Sequence, residues 1–266
     1  MQYFTPTTKQ ELQYALVIWD IDEDESDYIY GPISEWNISL ITDLSYLFGM
    51  SNYKHPMYRT IRDHVFDSMI SPDISKWNTS NVTNMEGLFM NMSIFNSELN
   101  NWNVSKVENM SYMFAGCTLF NQPLNRWNTS NVKTMRRMFG SIMIYYGKHY
   151  CGFTQNINNW DVSNVTDMSF MFHSNVDYDN YINSWDLTNV TSVNGMLYCT
   201  KFDITRHDLK ESQMKHHNID LNKYPLFTDD VLYKHWEKKE FYSDYLRDSG
   251  IDVTGFVSDS DSDSEW

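Results

Sequence analysis

Few side chains in this sequence are spaced for catalysis or metal binding, and each candidate falls short in a definable way. Asp20, Asp22 and Asp24 alternate like the first ligands of a calcium loop. Glu25, however, stands where that loop needs glycine, and Gly31 where it needs glutamate, so a solvated acidic loop is expected. His207, His216, His217 and His235 gather near the C-terminus, with no Cys or carboxylate at structural-zinc spacing. Cys117, Cys151 and Cys199 match no metal motif and cannot all pair within one chain, which favours buried thiols and a reducing compartment. Gly140 to Gly147 with Lys148 approaches a phosphate loop, but the spacing is wrong and His149 replaces the Ser or Thr. The sequence holds no G-x-S-x-G, H-E-x-x-H or G-x-G-x-x-G. The expectation is a protein that is not an enzyme, with no catalytic residue, no metal and no cofactor.

A repeat organises the chain. Trp36, Trp77, Trp102, Trp127, Trp160 and Trp185 are 41, 25, 25, 33 and 25 residues apart, a 25-residue period with extra residues in the first and fourth units. Three residues before each Trp stands Ile or Leu, one after it Asn or Asp, three after it Ser or Thr, and five after it Ile or Val. Three units continue with Met, Met and Phe, as at Met110, Met113 and Phe114. The stretch L-x-x-W-x-V or its Thr form, such as Leu124, Trp127 and Thr129, alternates sides like a short strand. The stretch T-x-M-x-x-M-F has helical spacing, and Thr83 with Glu86 has capping-box form. One such unit cannot bury its own apolar side, so the units must stack, with the six tryptophans, the Met pairs and Phe as a shared core.

The long recurring motif, V-T-x-M-x-x-M-F, a small turn such as Ala115, Gly116 and Cys117, then F-N-Q-x-L-x-x-W-N at residues 120–128, resembles the BspA-type leucine-rich-repeat family over about residues 30–200. That family occurs in bacterial and protist surface proteins, in large DNA viruses and in algae, and the resemblance implies binding or adhesion rather than catalysis. The expected fold is a leucine-rich-repeat-like solenoid of about six coils, short parallel strands plus short helical turns, with helical caps at both ends.

The flanks complete the expected organisation. Residues 1–30 are read as an N-terminal capping helix, Thr8 to Trp19 with Leu12, Ala15, Leu16 and Trp19 inward, followed by the acidic loop. The solenoid occupies 31–204, with insertions near 50–70 and 140–155. Residues 205–250 form a helical C-terminal segment, either a cap or a docking element, and 251–266 an acidic Ser/Asp tail open to an acid-directed kinase. The net charge of −15 includes six acids between Asp20 and Asp27 and four between Asp259 and Glu265. Clustered Lys and Arg are lacking, so no nucleic-acid partner is expected. No apolar run is long enough to insert in a membrane and no secretory leader is visible, so an intracellular location is favoured.

Residues repeated in every coil are expected to serve stacking, the Asn and Ser after each Trp as hydrogen-bonded ladders. Partner binding is then expected at what varies. Glu35, Lys76, Asn101, Arg126, Asn159 and Ser184, just before each Trp, are placed on the sheet face. The first insertion carries Tyr53, Tyr58, Arg59 and Arg62, the second Tyr145, Tyr146, Lys148 and Tyr150, residue types that anchor interfaces or else merely decorate loops. Two functional expectations follow, a protein-interaction scaffold or a structural or surface component of a virion or cell envelope. The partner itself and the oligomeric state are left open.

Overall fold

A computed structural model describes residues 4–49, 71–144 and 147–201, without the side chains of 142–149. These residues form a repeat domain around one continuous, largely aromatic core. At each Trp the chain turns where a strand was expected. The Trp77 amide donates to the Ile74 carbonyl at 3.1 Å, and the equivalent bond recurs in every unit. That carbonyl has a second lone pair, and the next unit's indole fills it. Trp102 Nε1 donates to Ile74 O at 3.0 Å, Trp127 Nε1 to Leu99 O at 2.9 Å and Trp160 Nε1 to Leu124 O at 3.0 Å. Trp77 and Trp185 repeat the contact with Ile33 and Ile157. A leucine could fill this volume but could not donate, which accounts for the indole.

The polar residues after each Trp also act differently from expectation. Asn37, Asn78, Asn103, Asn128, Asp161 and Asp186 each accept from the amide two residues on, at 3.0–3.2 Å. These are local Asx turns, not ladders between units. The ladder belongs to the Asn four residues after Trp: Asn81, Asn131, Asn164 and Asn189 each donate to a Ser carbonyl of the preceding unit.

The segment expected to be helical carries the parallel pairing instead. Parallel bridges join Asp43, Asn84, Asn109, Thr134, Asp167 and Ser192 in succession. Beyond the bridge every second amide donates to the next unit: Met110, Tyr112, Phe114 and Gly116 reach the carbonyls of Thr134, Arg136, Met138 and Gly140 at 2.8–3.0 Å. The intervening amides bend back within their own unit, Met113 to Met110 at 3.3 Å and Ala115 to Tyr112 at 3.1 Å. The result is a run of turns with a lateral ladder. Thr83 caps no helix here, since its hydroxyl donates to the Thr42 carbonyl at 3.2 Å.

A left-handed residue ten positions after each Trp makes this path possible. Tyr46, Gly87, Tyr112, Arg137, Phe170 and Gly195 have φ between 51° and 60°. The conformation costs a residue with a Cβ roughly 1–2 kcal/mol, so the ladder must outweigh that in four units. Inward, the aromatics form columns. Phe48, Phe89, Phe114, Phe139 and Phe172 stack at 5.5–5.7 Å between centroids. Phe95, Phe120, Phe153 and Tyr178 lie 3.9–4.0 Å from Phe89, Phe114, Phe139 and Phe172 respectively.

The N-terminal helix α1 runs Lys9–Ile21 with Thr8 as N-cap, and buries Leu12, Ala15, Leu16 and Trp19 in the same core. The expected acidic loop is instead a second helix, α2, Glu23–Tyr30. Glu23, Asp24 and Glu25 lie in its first turn, where they favour the helix dipole, and the Asp22 carboxylate accepts the Glu25 amide as N-cap. Phe4 and Tyr30 pack against Trp36 at the end of the array. The extra residues of the fourth unit form a hairpin, β1 Ile142–Ile144 and β2 Gly147–His149, paired antiparallel. The segments expected as a C-terminal helix and acidic tail, 205–250 and 251–266, lie outside the described residues. Among the described residues no helix is long and apolar enough to cross a membrane.

Candidate functional site

The ladder leaves a strip of side chains that differs from unit to unit, of which Tyr46, Glu86, Tyr112, Arg136 and Phe170 are partly open to solvent. These are the residues nine and ten positions after Trp, held in place by the left-handed turn and the bonds on either side of it. Toward the N-terminal end, the Tyr46 hydroxyl donates to Glu86 Oε1 at 2.6 Å, and Asn109 Nδ2 donates to Glu86 Oε2 at 3.1 Å. Burial, and then this bond to Glu86, push the Tyr46 phenol upward. Further along, Arg136 Nε donates to the Tyr112 hydroxyl at 3.0 Å and its NH1 to Ser169 Oγ at 2.9 Å, with the guanidinium 5.4 Å from the Phe170 ring centroid. The strip therefore runs from an acidic, tyrosine-bearing end to a basic, aromatic one.

Beneath it lies a buried cation. Arg137 is 3 % exposed and sits between two rings, 5.9 Å from the Tyr112 centroid and 4.9 Å from that of Phe170. Its NH1 donates to the Ser141 carbonyl at 3.2 Å, which ties it to the foot of the hairpin. His173 is buried nearby. Burial, reinforced by the Arg137 charge, lowers it to about 3, so it is neutral at pH 7. Two of the aromatics in this row cover glycines: Tyr46 covers Gly87 and Phe170 covers Gly195, and in each case a Cβ on the glycine would strike the ring.

The expected site residues are distributed elsewhere. Lys76 pairs with Glu35, and Arg126 NH1 donates to Asn101 at 3.2 Å. Their row lies on the turn that precedes Trp, not on the ladder face, because the L-x-x-W stretch is a turn. Tyr150 is half-buried beside the hairpin, and Lys148 pairs with Met143 in its register. Tyr53, Tyr58, Arg59, Arg62, Tyr145 and Tyr146 lie outside the described residues, as do the four C-terminal histidines.

Among the described residues no three His, Cys, Asp or Glu side chains come together as a metal site. The thiols are buried: Cys117 donates to the Phe89 carbonyl and is pushed well up by burial, while Cys151 rises to about 12 and Cys199 to about 11 for the same reason. The strip itself was missed by reasoning from the sequence. Its signal was available at offsets nine and ten, where the units disagree amid otherwise repeated positions.

No curated protein and no solved structure matches the chain. Two overlapping segments, residues 55–149 and 142–234, match the model of a family described as Mycoplasma protein of unknown function, DUF285. Together they span more than half of the sequence, and the chain belongs to the DUF285 family.

Proposed function

We propose that this protein is a non-enzymatic protein-interaction scaffold, built on a leucine-rich-repeat-like solenoid of the BspA type. The parallel ladder, one rung per unit, and the strand-free turns at Trp support the solenoid reading. One observation carries the functional reading: the residues common to all units are spent on stacking and on local turns, while the strip from Tyr46 and Glu86 to Tyr112, Arg136 and Phe170 is varied, partly open and rich in groups that suit interface anchors. The hairpin at 142–149 stands next to the basic end of this strip, connected through Arg137.

The test is affinity recovery of partners from the native source with the full chain. Three baits are compared: wild type, Tyr112→Ala/Arg136→Ala, and a variant with Ser141 joined to Tyr150. The expected result is a defined partner that the wild type recovers and the strip variant loses. A partner held equally by all three baits refutes the assignment. Recovery of the native protein only in particle or envelope fractions favours a structural component instead.

A further inference from the structure

The outward side of α1 is apolar where a surface helix is ordinarily polar. Leu12, Ala15, Leu16 and Trp19 turn into the core, while Tyr14, Val17, Ile18 and Ile21 form a second stripe at i, i+3, i+4 and i+7. Tyr14 is 52 % and Ile21 63 % exposed, with Val17 and Ile18 half-buried. The next helix, α2, also exposes apolar side chains, Tyr28 at 91 % and Ile29 at 50 %. A stripe of this spacing is the pattern by which one helix seats another.

The surroundings of the stripe state what the occupant must carry. From residue 1 to residue 53 the sequence has a single Lys or Arg, Lys9, against nine Asp and Glu, five of them between Asp22 and Asp27. Lys9 is already engaged, donating to Asp43 Oδ2 at 3.0 Å and to Ser45 Oγ at 2.7 Å. Neither helix has a basic residue in its last turn. The apolar stripe is therefore bordered at its C-terminal end by carboxylates to which, among the described residues, no Lys or Arg forms a salt bridge.

We propose that this end of the molecule docks a basic amphipathic helix of another protein. The apolar side of that helix lies along Tyr14, Val17, Ile18 and Ile21, and its Lys or Arg residues face the carboxylates of Glu23, Asp24, Glu25 and Asp27. A second copy of this chain would set acid against acid across the same face, and an anionic lipid surface meets the same repulsion. The stripe shares no residue with the ladder strip, and the proposal stands or falls independently of it.

The probe is a fluorescein-labelled Leu/Lys helix of about 18 residues, titrated into the full-length protein. Two control peptides accompany it, one with Glu in place of every Lys and one scrambled so that charge remains but the apolar stripe does not. Expected is a dissociation constant in the micromolar range for the first peptide alone, weakening as salt is raised. Affinity should fall by about tenfold or more in Tyr14→Ser/Ile21→Ser and separately in Glu23→Gln/Asp24→Asn/Glu25→Gln/Asp27→Asn. Circular dichroism verifies that each variant is folded, and the exposed positions of Tyr14 and Ile21 make the first variant decisive if the second is not. Equal binding of either control peptide, unchanged affinity in the apolar variant, or no binding overturns the proposal. So does a dimer in sedimentation velocity that Ile21→Ser dissociates, which would identify a second copy as the occupant.

Discussion

The indole bond between units makes a prediction that separates hydrogen bonding from size. Trp102 is 3 % exposed, lies parallel to Trp77 at 6.5 Å, and donates from Nε1 to the Ile74 carbonyl at 3.0 Å. Replacing it with benzothienylalanine keeps the bicyclic shape and puts sulfur where the N–H was. The Ile74 carbonyl still accepts the Trp77 amide at 3.1 Å, so the group is not orphaned, and the loss falls near the ordinary value of about 1 kcal/mol rather than the cost of a bare buried acceptor. Trp102→Phe loses the same bond and also buried ring surface worth about 1–2 kcal/mol, for a total of about 2–3 kcal/mol. Urea unfolding followed by far-UV circular dichroism gives both values, provided the slopes agree with wild type. A benzothienyl variant that unfolds at the wild-type midpoint, or one that loses as much as Phe, refutes the reasoning.

Three further outcomes are expected. Gly87→Ala combines a left-handed Cβ with a clash against the Tyr46 ring, and should destabilise by about 2–4 kcal/mol in urea melts. Tyr46→Ala in the same chain should return most of the clash component. His173 is depressed from an ordinary 6.5 to about 3 by burial and by Arg137, so the unfolded chain binds the extra proton between those values. The stability held above pH 6.5 should fall by about 1.4 kcal/mol per pH unit as pH drops toward 3, and His173→Gln should remove that part of the slope. The three thiols should resist iodoacetamide at pH 8 in the folded protein and react together in urea, as read by mass spectrometry.

The register of the repeat was legible because Trp, Ile and Val positions bury their side chains and selection on burial leaves a visible pattern. The identity of each segment was not, and Met110, Met113 and Phe114 show why. Spacing of three and four normally turns side chains to one face of a helix, but a left-handed Tyr112 between them achieves the same inward direction with a different backbone. Only two of the six left-handed positions in the row ten residues after Trp are glycine, at Gly87 and Gly195, so composition gave little warning. The acidic run after Asp20 misled in the opposite sense. Its charges suggested a loop, while their position at a helix N-terminus was what stabilised one. The ladder strip escaped notice because variation looks like noise until neighbouring rows are seen to be fixed.

The pairing of side chains along the left-handed row bears on how such an array can grow. Each indole, each Asn ladder and each lateral amide binds the adjacent unit by the same bond, so tandem duplication of 25 residues would leave those contacts matched. The row ten positions after Trp is less permissive. Tyr46 needs the space above Gly87, and Phe170 the space above Gly195. A copied Tyr46 unit placed after itself would set a tyrosine where its predecessor requires glycine. Copy number is free to drift by whole units, but the order in which units follow one another obeys a neighbour rule: an aromatic in this row is followed by a glycine, as at Gly87 and Gly195, or by an arginine that lies over its ring, as Arg137 does over Tyr112.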